Sequence, residues 1–217
     1  MIKRTTVAGS ILGIVLLSQT AQAQVIAGGM AANDGDPNAG KAKSELCHGC
    51  HGADGMSVDP SSFPNLAGQY AGYIFKQLQD FQLGNRQDDT MSAMAAMVTS
   101  KDDLKDIAAY FQSLSKMKGQ PHDTELAKKG WEVYKKGNAK NGIYGCVNCH
   151  GSNGKGKGAD NALFPVIGGQ SKAYLVKQLT ALKNGSRAND PAGMMADIAK
   201  KLTDEEIQAV AEYLSGL

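Results

Sequence analysis

Apolar residues return at helical spacing in three well-separated stretches of this chain. Tyr73, Phe75, Leu78 and Phe81 fall near one face of a helix expected to begin after Gln69 and to stop at Gly84. Leu104, Ile107, Ala108 and Phe111 form a second stripe, and Ile207, Val210, Ala211 and Leu214 a third. The last two open on capping signals: Ser100 with Asp103 in a weaker form, and Thr203 with Glu206. No stretch alternates apolar and polar residues long enough to read as a strand, so the expected fold is all-α.

The order of these patterns shows that the chain contains itself twice. Gly68, Gln69, Tyr73, Lys76, Gln77, Leu78, Gly84 and Arg86 recur at a constant offset of 101 as Gly169, Gln170, Tyr174, Lys177, Gln178, Leu179, Gly185 and Arg187. Upstream, Phe63-Pro64 matches Phe164-Pro165; downstream, Ile107-Ala108-Ala109-Tyr110 matches Val210-Ala211-Glu212-Tyr213. Two tandem domains follow, 24–115 and 116–217, with a linker at about 115–123 that contains Gly119 and Pro121. Residues 24–38, rich in Gly, Ala and Asn, are expected to form a loose leader.

Residues 1–23 have the order of a secretory signal peptide. Lys3 and Arg4 precede an apolar run at 7–17, and Ala21-Gln22-Ala23 offers a small-x-small cleavage site. The run is shorter than the roughly 20 residues of a membrane span. The expected location is the periplasm, with an uncleaved anchor or peripheral membrane association as the alternative. Charge is divided unevenly behind this segment: residues 24–115 hold 6 basic and 11 acidic side chains, and residues 116–217 hold 15 and 10. Either these are solvated surface charges or they form a dipole that orients the molecule on charged partners. No nucleic-acid partner is expected.

The cysteines carry the chemistry. All four lie in two copies of Cys-x-x-Cys-His: Cys47-His48-Gly49-Cys50-His51 and Cys146-Val147-Asn148-Cys149-His150. Two thiols at this spacing can each add to one vinyl group of the same porphyrin, and the following histidine is then placed beneath the ring to bind iron. A disulfide framework gives no reason for a histidine after each pair, a zinc site needs four ligands in one cluster, and a thioredoxin-like pair belongs on a βαβ scaffold. The expected cofactors are two covalently bound haem c groups, held by Cys47, Cys50, Cys146 and Cys149, with His51 and His150 as axial ligands.

A carrier of single electrons needs the sixth iron position filled as well. His48 stands beside Cys47 on the wrong side of the ring and His122 lies in the linker, so at most one spare histidine serves two irons. Methionine remains. Aligning the repeats without gaps sets Met91 against Met195, whereas Met94 faces Ile198 and Met97 faces Lys201. Met91 and Met195 are therefore the candidate thioether ligands, and Met94 and Met97 are flexible core filler. Arg86 and Arg187 are candidates for holding a haem propionate by forked hydrogen bonds, the alternative being ordinary surface arginine. Trp131 and Tyr134 are expected to pack against the helices of the second haem.

The paired Cys-x-x-Cys-His, Phe-Pro-x-Leu/Ile-x-Gly-Gln, Lys-Gln-Leu and Gly-x-Arg elements resemble the cytochrome c4 family over residues 38–217. The resemblance implies two class I cytochrome c domains with His/Met-ligated haems, packed about a pseudo-two-fold axis with propionates near the interface. It implies that the carbonyls of Pro64 and Pro165 accept a hydrogen bond from the axial histidines, a turn proline being the alternative reading. It also implies a monomeric electron carrier and no enzyme, passing electrons from a quinol-cytochrome c reductase or a periplasmic dehydrogenase toward a terminal oxidase in a respiratory chain. A second reading is the electron-accepting subunit of a periplasmic dehydrogenase of sulfide or thiosulfate. A third is a dihaem oxidoreductase with one iron open to substrate.

Overall fold

The computed structural model describes residues 34–217. The expected signal segment, 1–23, and most of the expected leader lie outside the described residues. Helices α1 (Pro37–Lys43), α2 (Glu45–His51), α3 (Ala71–Gln82), α4 (Asp89–Ala96) and α5 (Lys101–Ser113) make the first repeat. Helices α6 (Glu125–Lys136), α7 (Val147–His150), α8 (Lys172–Asn184), α9 (Met194–Lys201) and α10 (Asp204–Ser215) make the second. Among the described residues the only β pairing is an isolated bridge between Asn138 and Ile143. The fold is all-α.

Helix boundaries follow the local chemistry. Beyond α3, Gly84 takes φ 73°, a left-handed conformation that ends a helix at little cost in glycine. Thr203 and Glu206 form the full reciprocal capping box on α10. At α5 only half of it forms: the Ser100 hydroxyl accepts from the Asp103 amide at 3.3 Å. The buried stripe of α5 contains Leu104, Ile107, Ala108 and Phe111, and that of α10 contains Ile207, Val210, Ala211 and Leu214.

In each repeat the first helix crosses the last. The crossings α1–α5 and α6–α10 are close because glycine stands at the contact. A Cβ on Gly40 would overlap the Asp106 carbonyl, and one on Gly130 would overlap the Ala209 carbonyl and crowd the Tyr213 Cβ. Each repeat then closes its own apolar core. Ile74, Phe75, Leu104, Ile107 and Phe111 pack together in the first, and Tyr134, Leu175, Leu179, Ile207 and Val210 in the second. A third cluster of Ala67, Tyr70, Met117 and Val166 joins the repeats.

Two expectations are corrected. The leader is not loose as far as residue 38, because Pro37 already opens α1, Asp36 caps it, and the Asp36 amide donates to the Asp106 carboxylate at 2.7 Å. The segment at 115–123 has no regular structure and runs as a strap between the repeats. Met117 is fully buried between the repeats, its amide donates to the Ala67 carbonyl at 3.1 Å, and its carbonyl accepts from Lys155 Nζ at 2.7 Å. Trp131 is 40% exposed beneath the Lys136 ammonium, whereas Tyr134 is fully buried. The face of α6 that is buried against α10 carries Ala127, Gly130 and Tyr134, and Trp131 lies at the edge of that stripe.

Replacing Gly130 with Val should lower stability by about 1–3 kcal/mol, the range for overpacking a close contact. Thermal unfolding of the haem-loaded protein measures it, and an unchanged midpoint would show that the α6–α10 crossing has slack.

Candidate haem-binding sites

Both motif histidines sit at the ends of short helices, α2 and α7, and both are 5% exposed. His51 Nδ1 lies 2.8 Å from the Pro64 carbonyl oxygen, and His150 Nδ1 lies 3.1 Å from that of Pro165. A carbonyl can only accept, so Nδ1 carries the proton in each ring and the Nε2 lone pair is left free for a metal. Burial holds both imidazoles below the ordinary histidine value, against the opposing pull of the proline carbonyl. A neutral, oriented imidazole is the form that binds iron.

The four thiols are unpaired. Cys47 and Cys146 pack against the apolar cores of their repeats, and burial pushes the Cys146 thiol up to about 11 and the Cys47 thiol up as well. Two free thiols and one imidazole with an open Nε2, all on one short helical segment, fit a covalently held porphyrin. Tyrosines pin the chain just past each motif, from different helices. Tyr110 on α5 donates to the Ala53 carbonyl at 2.5 Å, and Tyr134 on α6 donates to the Gly151 carbonyl at 2.6 Å. His48 is engaged elsewhere, with Nε2 2.9 Å from the Ser44 hydroxyl.

Met91 and Met195 share a backbone arrangement despite the three-residue insertion Pro191-Ala192-Gly193 in the second repeat. The Met91 amide donates to the Asp88 carboxylate at 3.1 Å, and the Met195 amide donates to that of Asp190 at 2.8 Å. Ala192 absorbs the insertion with φ 54°, a left-handed conformation unusual for a residue with a Cβ. Met195 packs against the second core, while Met97 is 63% exposed and Met194 42% exposed. Met94 is half-buried.

The arginines were legible as a repeated pair but not in their setting. Arg86 is buried, and Arg187 is half-buried. Arg86 donates to Gln77 of its own repeat at 2.8 Å, and across the interface to Tyr174 at 3.0 Å and Gln178 at 2.8 Å. Arg187 donates to Gln178 of its own repeat at 2.8 Å, and across the interface to Tyr73 at 3.1 Å and Gln77 at 3.4 Å. The ordinary-surface reading therefore fails for Arg86. Lys177 adds an ion pair to Asp88, the cap of α4, at 3.0 Å.

Sequence reasoning missed a second reciprocal pair, Gln69 and Gln170, both buried. The Gln69 side chain accepts from the Val166 amide at 3.0 Å and donates to the Val166 carbonyl at 2.7 Å. Gln170 does the same to Asn65, accepting at 2.8 Å and donating at 2.8 Å. The signal was present in the constant register, since Asn65 and Val166 are themselves 101 residues apart.

The cytochrome c family profile matches this chain twice, at residues 38–115 and 127–217. Cytochrome c4 of Thiocapsa roseopersicina is 44% identical over 184 residues, covering 84% of this chain and 93% of the relative. The chain belongs to the cytochrome c4 family. A protein described as a thiosulfate dehydrogenase electron acceptor, from Stutzerimonas stutzeri strain A1501, is 36% identical over 211 residues, covering 94% of this chain and 93% of the relative. The crystal structure of reduced recombinant cytochrome c4 from Pseudomonas stutzeri superposes with a TM-score of 0.79 at 40% identity, covering 84% of this chain and 99% of that one. The protein is a dihaem electron carrier with two covalently bound haem c groups, and it is not an enzyme.

Mass spectrometry of the acid-denatured protein should show the peptide plus two haem masses. Cys146→Ala should reduce haem capture in the second repeat and leave that repeat poorly folded, because Cys146 is packed in its core. Retention of two full haem equivalents with unchanged unfolding would contradict this.

Proposed function

We propose that His51 with Met91, and His150 with Met195, are the axial ligands of the two haem irons, and that the protein carries electrons in the periplasm between a respiratory donor and a terminal oxidase. The observation that carries the reading is the duplicated site. In both repeats the imidazole is neutral with Nδ1 committed to a proline carbonyl, and in both a methionine near a helix start donates its amide to an aspartate carboxylate. The bound iron supplies one-electron chemistry by cycling between ferrous and ferric states. The protein's own groups keep the imidazole in one tautomer and hold the amide of each methionine on an aspartate carboxylate. With a histidine and a methionine both holding each iron, little rearrangement would accompany electron transfer and oxygen would have no site to bind.

Arg86 and Arg187 both reach across the interface between the repeats, which supports their holding propionates there as well. The expected signal peptide supports a location outside the cytoplasmic membrane, and among the described residues no helix is long and apolar enough to cross one. The similarity to electron acceptors of thiosulfate dehydrogenase favours a second reading, in which the donor is a dehydrogenase of that kind.

Replacing Met91 or Met195 with Ala should each remove about half of the ferric thioether-to-iron absorption band, since one of two equivalent sites is opened. Met94→Ala should leave the band intact. Loss of the band in Met94→Ala, with Met91→Ala unchanged, would assign the ligand differently.

The charge asymmetry concerns partners. Asp103 and Asp106 are both paired with Lys43, so those carboxylates serve α1–α5 docking more than steering. Lys136 and Lys140 are exposed on the second repeat. Electron exchange with an acidic redox partner should slow as salt rises, because exposed charges are screened over about 8 Å at physiological ionic strength. Reversing Lys136 and Lys140 to Glu should slow it further, and reversing Asp102 to Lys should not; stopped-flow rates across a salt series distinguish these outcomes from docking through apolar contact.

A further inference from the structure

The buried glutamines do more than join two surfaces, because each meets the peptide unit that also meets the opposite repeat's histidine. The Pro64–Asn65 peptide presents its carbonyl to His51 Nδ1 at 2.8 Å and its N–H to Gln170 Oε1 at 2.8 Å. The Pro165–Val166 peptide presents its carbonyl to His150 Nδ1 at 3.1 Å and its N–H to Gln69 Oε1 at 3.0 Å. Two unbroken chains therefore run from a glutamine of one repeat to the imidazole of the other. His51 and His150, Asn65 and Val166, and both glutamines are buried, and Pro64 and Pro165 are half-buried. Each Oε1 also accepts from the next amide of its own chain, Tyr70 at 3.1 Å or Ser171 at 2.8 Å, which fixes the side-chain rotamer.

From this geometry we infer that Gln69 and Gln170 are positioning residues that set the redox potential of the haem in the repeat to which they do not belong. The inference rests on His51 and His150 being iron ligands. A hydrogen bond to a peptide N–H polarises the amide and makes its carbonyl a stronger acceptor, and successive bonds reinforce one another in a dry interior. A stronger carbonyl draws the Nδ1 proton harder and gives the imidazole more anionic character, which favours ferric iron and lowers the potential. Docking of the two repeats is thereby part of the tuning of each iron. The coupling is reciprocal: if docking favours the ferric state, oxidation tightens docking by the same factor. The relay uses only the backbone of the residue after proline, which is why asparagine in one repeat and valine in the other serve alike.

The test is a redox titration of the haem-loaded protein, followed through haem methyl resonances assigned to each repeat. Gln170→Met keeps length and bulk but offers no comparable acceptor; it should raise the potential of the first repeat's haem and leave the second repeat's haem in place. Gln69→Met should do the reverse. Gln170→Glu, titrated at a pH where the introduced carboxyl is protonated and reproduces both bonds to Asn65, should return the first haem toward the wild-type value. Tyr70→Phe loosens the interface away from the relay, where the Tyr70 hydroxyl donates to Lys155 and accepts from Gly158; it should not reproduce the crossed pattern. Unmoved potentials, equal shifts of both haems, or a shift confined to the haem of the substituted repeat would overturn the inference. Wild-type spectra lacking histidine ligation would instead overturn the ligand assignment on which it rests.

Discussion

The structure depends on keeping a buried imidazole neutral and pointing one way. An imidazole that binds iron through Nε2 must dispose of an Nδ1 proton in an interior without water, and an unpaired donor there costs about 1–3 kcal/mol. The chain answers by bringing a proline carbonyl back under each histidine, 2.8 Å away in one repeat and 3.1 Å in the other. Proline fixes its own φ and has no N–H, so the carbonyl it presents belongs to a segment that cannot rejoin a helix. Glycine-rich loops connect motif to proline, and the tyrosines on α5 and α6 tie those loops to the helical frame.

The same segment builds the interface between repeats. Once the proline carbonyl faces inward, the next N–H faces the neighbouring repeat and needs an acceptor in a place where water is excluded. Glutamine supplies it, with a side-chain amide that matches the peptide's donor and acceptor together. The arginine–tyrosine–glutamine network beside it obeys the same two-fold logic: each guanidinium bonds within its own repeat and then across. Such an isologous arrangement is what a duplicated surface gives when it meets itself. A break in symmetry appears where the repeats differ in sequence: residues 137–146 separate α6 from α7, whereas only Ser44 separates α1 from α2.

Much of the helical frame was legible because it is governed by local rules. The stripes on α5 and α10, the stop at Gly84 and the cap at Thr203 each follow from residues a few positions apart. The haem attachment motif was legible because its spacing has one strong chemical reading. The burial of Arg86, the insertion of Met117 into the interface and the exposure of Trp131 were not, because each is decided by what packs opposite. Gln69 and Gln170 stood in the repeat pattern from the start, but a repeated residue can serve its own repeat or the neighbouring one, and only the assembled fold separates these.

Amide hydrogen exchange of the haem-loaded, reduced protein tests the central claim that the proline-linked peptides are sealed by the opposite repeat. The Asn65 and Val166 amides should be protected to the same degree and lose protection together, in a single opening that separates the repeats. Exchange of either amide at the rate of an exposed loop, or at rates unrelated to each other, would show that each histidine is held by its own repeat alone.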